Sequence, residues 1–292
     1  MKVGLQLYSV KENMEKDARK TMKTVADLGY KYIETYCYKK KDSNADESDE
    51  INFGLGMDRR EAKAFLDASG IKVVGGHYYY PGNPVFEKMC DYYASLGGIQ
   101  FGSGGDFFSG GMDELKRKME LMVKDAEIAK SYGLRYYYHN HFWEFQKFGD
   151  EYVWDIMVKE LPKDLVWFEL DNYWAARGGM NPVDVIKKTG DRLILLHQKD
   201  FSKTAGVPLN LFESVIDPTG PLTQKMHGDN RHVTDFAEVG NGILPIQDYI
   251  TAGNEVGVEY ILLEQDLTAI DELDSIRISM DAFKKFSGVE WA

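Results

Sequence analysis

Four side chains that can bind a metal follow short apolar runs in the second half of the chain. Glu144 lies in YHNHFWEF, Asp171 in LVWFELDNYW, His197 in LILLHQKD and Glu264 in YILLEQD. Each run is short, rich in aromatic and aliphatic residues, and followed by a helical pattern, which is typical of a buried parallel strand. The sequence therefore predicts an active site at the carboxyl ends of parallel strands.

The chemistry predicted for this set is metal binding. Glu144, Asp171 and His197 are each about one strand-helix unit apart, so adjacent strands could aim them at one point. Three carboxylates and one imidazole form a hard, oxygen-rich shell suited to Mn²⁺, Mg²⁺ or Co²⁺, with Zn²⁺ as an alternative. Taken singly, a strand-end carboxylate is commonly a helix N-cap. Three carboxylates converging without a cation would repel one another, however, so we expect one divalent metal ion held by the four residues.

The elements that must position these groups alternate regularly. Apolar runs predict eight strands, at residues 3–10, 31–38, 71–79, within the glycine-rich segment 97–105, 135–141, 165–171, 192–198 and 259–265. Helical spacing fills the intervals, most clearly over residues 113–132, and predicts a last helix over residues 271–286. Eight such units predict an α/β fold, a (β/α)₈ or TIM barrel, as a single domain over residues 1–292.

A doubly wound open sheet is the rival architecture, but the turn after the first strand, QLYSVKEN, lacks the glycines of a phosphate-binding loop. The segment over residues 200–241 is too long and too irregular for an ordinary connection, and we expect it to be a lid or an interface loop. The charged run KKKDSNADESDE, residues 39–50, is expected to be a solvated loop.

Composition excludes several classes of protein. The chain has 47 acidic and 35 basic residues and a formal charge of -12, so it lacks the basic excess that nucleic acid would attract. Its two cysteines, Cys37 and Cys90, match neither a disulfide framework nor a zinc motif. Neither a secretory signal nor a membrane-spanning run is recognisable, so we expect no membrane partner and a cytoplasmic location.

The ordered blocks GLQLYSV, YHNHFWEF, ELDNYWAARGG, LLHQKDF, EVGNGILPIQDYI and YILLEQD resemble the sugar phosphate isomerase/epimerase family of xylose-isomerase-like barrels. The resemblance covers nearly the whole chain. It implies a divalent-metal enzyme whose ligands come from strands five to eight, here Glu144, Asp171, His197 and Glu264. In ketose epimerases of the broader group the first glutamate stands on strand five itself, whereas Glu144 follows that strand. The resemblance therefore leaves open whether Glu144 or a histidine of the HNH sequence moves the proton.

The mechanism implied is proton abstraction beside a carbonyl, with the metal as a Lewis acid that stabilises an enediolate. Glu144 and Glu264 are the first candidates for the bases. His139 and His141 are their rivals because imidazole titrates near neutral pH, and His139 is preferred of the two. The candidates for substrate binding are Gln6, His77, His141, Lys199 and Trp174. Three further residues each have two possible roles. Glu34 either binds a substrate hydroxyl or is an ordinary paired carboxylate, and Trp143 is either an apolar wall against a sugar ring or a core residue. Arg177 either binds an anionic group or caps the loop after strand seven. His227 and His232 are expected to be solvated.

The function predicted is therefore a metal-dependent isomerase or epimerase of a keto sugar or related polyol, a small-molecule substrate. A lyase or dehydratase acting on keto-glycosides or cyclic polyols is the close alternative, because the same enediolate can expel a leaving group. An endonuclease on the same barrel is disfavoured by the charge. A hypothesis from a different class is a non-catalytic sugar-binding or oligomeric scaffold protein. A homo-oligomer is compatible with each of these functions.

Overall fold

Eight parallel strands close into a barrel in the computed structural model, which describes residues 1–39, 51–52 and 54–291. Each strand pairs with its neighbours in the chain, and the first pairs with the last. The strands are β1 (Lys2–Gln6), β2 (Tyr32–Tyr36), β3 (Lys72–Tyr78), β4 (Gly102–Gly104), β5 (Tyr136–His139), β6 (Val166–Asp171), β7 (Leu193–Gln198) and β8 (Tyr260–Leu263). The TIM-barrel prediction is confirmed, and the open sheet is excluded by the closing pair.

Helices follow the strands and surround the barrel. They are α1 (Lys11–Leu28), α2 (Arg59–Ser69), α3 (Phe86–Ser95), α4 (Gly111–Ser131), α5 (Val153–Glu160), α6 (Asn172–Arg177), α7 (Pro182–Thr189), α8 (Leu211–Ser214), α9 (Gln224–Asp229), α10 (Ile246–Val256) and α11 (Glu272–Phe283). α4 occupies the span with the clearest predicted periodicity, and the Asn181 side chain caps α7 by accepting from Val183 N. Within the described residues, no helix combines the length and the apolarity needed to cross a bilayer.

Every strand is shorter than the run that predicted it, and β1 and β4 are short for clear local reasons. β1 ends at Gln6, because the Gln6 Oε1 atom accepts a hydrogen bond from Tyr8 N at 3.1 Å and starts a 3₁₀ turn over Leu7–Val10. β4 contains only three residues and packs very closely on β5. A Cβ atom on Gly102 would lie 1.9 Å from the carbonyl oxygen of Tyr137, so glycine is required there. β6 and β7 end where predicted, at Asp171 and Gln198, whereas β5 ends two residues earlier than predicted, at His139.

The long segment after β7 is held against the barrel. Asp200–Phe201 pairs in antiparallel fashion with Phe236–Ala237 and closes the segment at its base. The buried Arg177 guanidinium donates to Pro208 O at 3.0 Å and Asn230 O at 3.2 Å. Arg177 therefore caps the loop, which is one of the two roles considered for it. Residues 40–50 of the charged run lie outside the described residues.

Candidate active site

Four metal-capable side chains meet at the carboxyl end of the barrel. His139 ends β5, Asp171 ends β6, His197 lies on β7 and Glu264 directly follows β8. One ligand atom from each lies within 4.8 Å of the others, and all four residues are buried. The strand register explains the convergence, because Asp171 and His197 are directly paired neighbours of β6 and β7. We call these four residues the mouth cluster; three of them are members of the predicted metal shell.

The two carboxylate oxygens of Asp171 have different partners. Its Oδ1 atom accepts a hydrogen bond from Trp174 N at 2.8 Å and caps α6, as an isolated strand-end carboxylate commonly does. Its Oδ2 atom contacts the ammonium group of Lys199, which also contacts Glu264 Oε2 and lies 3.3 Å from Asp266 Oδ1. Lys199 thus supplies positive charge at the carboxylates of the mouth cluster.

The charged groups in and around the mouth cluster shift one another's pKa values. Burial opposes the charge of Lys199, but Asp171, Asp266 and Glu264 together hold its pKa well above the usual range. Burial would likewise raise the pKa of Glu264, yet Lys199 and His197 hold it well below the usual range. Glu264 is therefore an ionised carboxylate.

Glu144 does not join the mouth cluster. It lies in a 3₁₀ turn, Trp143–Phe145, beyond the end of β5. Its Oε1 atom accepts from the Tyr138 hydroxyl at 2.6 Å, and its Oε2 atom accepts from His141 N at 2.9 Å. The carboxylate thus fixes the turn after β5, and His139 is the group that β5 contributes to the mouth.

We expect Glu144→Gln to retain divalent metal while changing the pH dependence of stability. Burial raises the pKa of Glu144 from about 4.5 to about 8, against the hydrogen bond from Tyr138. A folded pKa above the unfolded one favours the folded state when the group is protonated, so this contribution is lost as pH rises through about 8. The wild-type free energy of unfolding should therefore fall, relative to the variant, between about pH 5 and pH 8.

Urea unfolding of both proteins across this pH range measures the difference, and element analysis after dialysis against Mn²⁺ measures the metal. Wild-type metal content in the variant identifies Glu144 as a support of the turn. Loss of the ion from a folded variant would instead make Glu144 a ligand.

A cavity of about 180 Å³ opens above the mouth cluster. It is smaller than the roughly 300–1,000 Å³ sites of drug-sized ligands, so it suits a small molecule. Five of the predicted site residues line it: His77, His139, His141, Trp174 and Glu264. Trp143, Arg231 and Asp266 line it as well.

Aromatic rings form one wall of the cavity. The His141 ring stacks on Trp143 with centroids 4.4 Å apart, and His227 lies 5.1 Å from Trp174. His227 is only 7% exposed, so its expected solvation is wrong. The long segment folds back over the barrel and buries this ring, whereas His232 is exposed as expected. Burial, with Arg231 and Lys199 nearby, lowers the pKa of His227 to about 3, so the ring is neutral.

The two histidines of the HNH sequence are neutral as well. Burial lowers the pKa of His139 well below the usual range, and the neighbouring His197 and His77 act in the same direction. Burial, with His227, has the same effect on the pKa of His141. A neutral imidazole can accept a proton or bind a metal, so His139 can serve either purpose.

Other predicted groups do not line the cavity. Gln6, Glu34 and Lys199 are fully buried and are not among the residues that line the cavity. Glu34 lies 3.0 Å from His77 Nδ1, so the description of Glu34 as a paired carboxylate fits its position.

Sequence reasoning did not single out Glu169, a fully buried glutamate on β6. It lies 3.0 Å from His197 Nε2 and 3.3 Å from His139 Nδ1. The sequence does contain a signal for Glu169. Residues two apart on a strand share a face, and Glu169 precedes Asp171 by two residues.

Residues 22–286 match the family described as the xylose isomerase-like TIM barrel. No curated protein matches the chain. A solved sugar phosphate isomerase/epimerase from Parabacteroides distasonis is 20% identical, with a TM-score of 0.71 over 99% of this chain and 95% of that one. IolI protein with a zinc atom is 15% identical, with a TM-score of 0.70 over 98% and 100% of the two chains.

The probable 3-DHS dehydratase AsbF from Bacillus anthracis is 14% identical, with a TM-score of 0.67 over 98% of this chain and 99% of that one. Identities this low establish a shared fold. The family match extends from within α1 to beyond the end of α11 and includes the strands that carry the whole mouth cluster. The chain therefore belongs to the xylose isomerase-like TIM-barrel family.

Proposed function

We propose that the protein is a divalent-metal-dependent isomerase or epimerase of a small keto sugar or related polyol. The observation that carries this proposal is the convergence of His139, Asp171, His197 and Glu264 beside a small cavity. The solved sugar phosphate isomerase/epimerase and the zinc-containing IolI protein, which share the fold, support it.

The donor set suits a divalent ion. Two imidazoles and two carboxylates lie close enough to share one cation. With His139 in place of Glu144 the set contains more nitrogen than the sequence suggested, which favours Mn²⁺, Co²⁺ or Zn²⁺ over Mg²⁺. Lys199 contacts the same carboxylates of Asp171 and Glu264, so an ion and this ammonium group compete for them. When bound, the ion would supply Lewis-acid stabilisation of negative charge on a substrate oxygen.

The protein's own side chains provide the proton chemistry. Glu264 and His139 both line the cavity and both are unprotonated, so each can take a proton from a substrate carbon. For epimerisation one group removes the proton, and the other, after taking a proton from solvent, returns it to the opposite face of the carbon. For isomerisation the group that removed the proton returns it to the neighbouring carbon, and the hydroxyl proton moves to the former carbonyl oxygen. Lys199 keeps Glu264 ionised and orients it.

The wall of the cavity fits a sugar-sized substrate. The stacked rings of His141 and Trp143, with Trp174 beside them, offer an apolar surface against which the face of a sugar that carries its C–H bonds can pack. His227, carried by the long segment, packs edge-on against Trp143 and Trp174 and completes this aromatic surface.

Proton exchange in D₂O tests the proposal. Protein dialysed against Mn²⁺ is incubated with a panel of keto sugars and cyclic polyol ketones, and the products are followed by NMR and mass spectrometry. Deuterium incorporation with an intact carbon skeleton is the expected result. Failure of every substrate to exchange, with metal-loaded and folded protein, would count against the proposal.

A lyase or dehydratase is the second candidate, and the fold shared with the probable 3-DHS dehydratase supports it. The same unprotonated Glu264 and His139 would remove the proton, and a group on the next carbon would leave. A dehydrated product or a released aglycone in the D₂O experiment would favour this reaction over isomerisation.

A further inference from the structure

A second group of ligands lies one layer deeper than the mouth cluster. Glu34 of β2, Glu169 of β6 and His197 of β7 each place a ligand atom within 4.8 Å of the others, and all three are fully buried. We call them the inner cluster. His197 Nε2 lies 3.0 Å from Glu169 Oε1 and also contacts Glu34 Oε2. The mouth carboxylates of Asp171 and Glu264 are not part of this group.

Glu169 is the unusual member of the inner cluster. Both of its carboxylate oxygens are buried and neither makes a hydrogen bond of good geometry, although His197 Nε2 lies 3.0 Å from Oε1. The nearest nitrogens besides His197 are His139 Nδ1 at 3.3 Å, which also lacks a hydrogen-bond partner, and His77 Nδ1 at 3.8 Å from Glu169 Oε2. A buried carboxylate without donors is costly, and a bound cation would remove that cost.

The orientation of His197 points the same way. Its Nδ1 atom lies 2.8 Å from Glu264 Oε2, so a proton on Nδ1 is donated to that carboxylate. The Nε2 atom faces Glu34 and Glu169, so a positive charge, either a proton on Nε2 or a metal ion, must lie between the ring and these carboxylates. A carboxylate that fixes the outer nitrogen of a histidine is the usual support of a histidine metal ligand.

Glu34 is oriented in a comparable manner. Its Oε1 atom accepts a hydrogen bond from the Tyr137 hydroxyl and lies 3.0 Å from His77 Nδ1. These contacts leave Oε2 facing His197 and the interior of the inner cluster. Ligand oxygens in metal sites are commonly held by such outer hydrogen bonds.

We infer that the inner cluster is a separate binding site for a divalent transition-metal ion, with Glu34 Oε2, Glu169 and His197 Nε2 as ligands. The mixed oxygen and nitrogen donors suit Mn²⁺, Co²⁺ or Zn²⁺ rather than Ca²⁺. The ion would tie β2 to β6 and β7 across the barrel interior. The inference does not depend on catalysis, because neither Asp171 nor Glu264 is a ligand of this site and Glu264 only orients His197.

Equilibrium dialysis against Mn²⁺ with element analysis tests the site, using Asp171→Asn to disable the mouth cluster. We expect Asp171→Asn to retain one equivalent of Mn²⁺ and the double variant Asp171→Asn/Glu169→Gln to lose it. Glu34→Gln in place of Glu169→Gln should have the same effect. Circular dichroism and thermal unfolding verify that each variant is folded, and an anomalous-diffraction peak beside Glu34 and Glu169 in Mn²⁺-soaked crystals locates the ion.

The outcomes separate this inference from the proposed function. Absence of Mn²⁺ from folded Asp171→Asn, or its retention by the double variant, would overturn the inner site and leave a proton as the occupant of His197 Nε2. If the single variant Glu169→Gln retains one equivalent of Mn²⁺, the ion at the mouth cluster is supported whether or not the inner site exists. Loss of all Mn²⁺ from Glu169→Gln would support the inner site and contradict the metal of the proposed function.

Discussion

Lys199→Met should destabilise the metal-free protein by about 3–5 kcal/mol, as expected when one partner of a buried ion pair is removed. Lys199 is fully buried and contacts Asp171 and Glu264, so its loss would leave these carboxylates without their nearest cation. Divalent metal should recover much of the stability, because an ion bound only by the folded state stabilises it by mass action. Urea unfolding in EDTA and in Mn²⁺ measures both effects.

Lys2→Met is the matched control at the opposite end of the barrel. Lys2 pairs with Glu259 at 3.2 Å, but the two side chains are 35% and 45% exposed. An exposed pair contributes roughly 0–1 kcal/mol, so this variant should unfold nearly as the wild type does, with no special response to metal. Equal stability of the Lys199 and Lys2 variants in EDTA would show that Lys199 does not neutralise the mouth carboxylates.

Glu264→Gln should lower deuterium exchange of the substrate by about 10²–10⁴-fold, the usual contribution of a positioned acid–base group. The ionised Glu264 carboxylate lines the cavity, whereas an amide of the same shape cannot accept the proton. Its contacts with His197 and Lys199 also make it a support of the metal, so the metal content must be measured alongside the exchange rate.

Glu259→Gln provides the control at the opposite end of β8. Glu259 precedes β8 and is exposed, while Glu264 follows β8 at the functional end. The control should exchange deuterium at the wild-type rate. A wild-type rate in Glu264→Gln would remove Glu264 from the proton transfer and leave His139 as the remaining candidate, which a His139→Gln variant would then test.

Local sequence patterns were sufficient for the order and type of the main elements. Alternating strand and helix periodicity predicted the eight-stranded barrel, and the position of Asp171 at the end of an apolar run predicted its place in the site. Asn181, which stands before a proline and caps α7, is a local signal of the same kind. These features depend on interactions between residues close in the chain, such as helix capping and the burial of one helix face, so a single sequence contains them.

The same patterns did not reveal which side chains meet after β5. Glu144 lies only a few residues beyond the strand, but the 3₁₀ turn directs its carboxylate to Tyr138 and His141 N. His227 lies in an irregular polar segment, which suggested solvation, yet the segment is anchored by Arg177 and buries the ring. Both results follow from how a loop packs on the finished barrel, which depends on contacts distant in sequence.

The order of the strands and the acidic and imidazole groups near their carboxyl ends can be read from the sequence, because both follow from local periodicity. The grouping of those side chains into the mouth and inner clusters cannot. Glu34 and His197 are 163 residues apart in the chain and meet only because the barrel closes on itself. Closure and strand register set the distances, and those distances determine where a cation or a proton can be held.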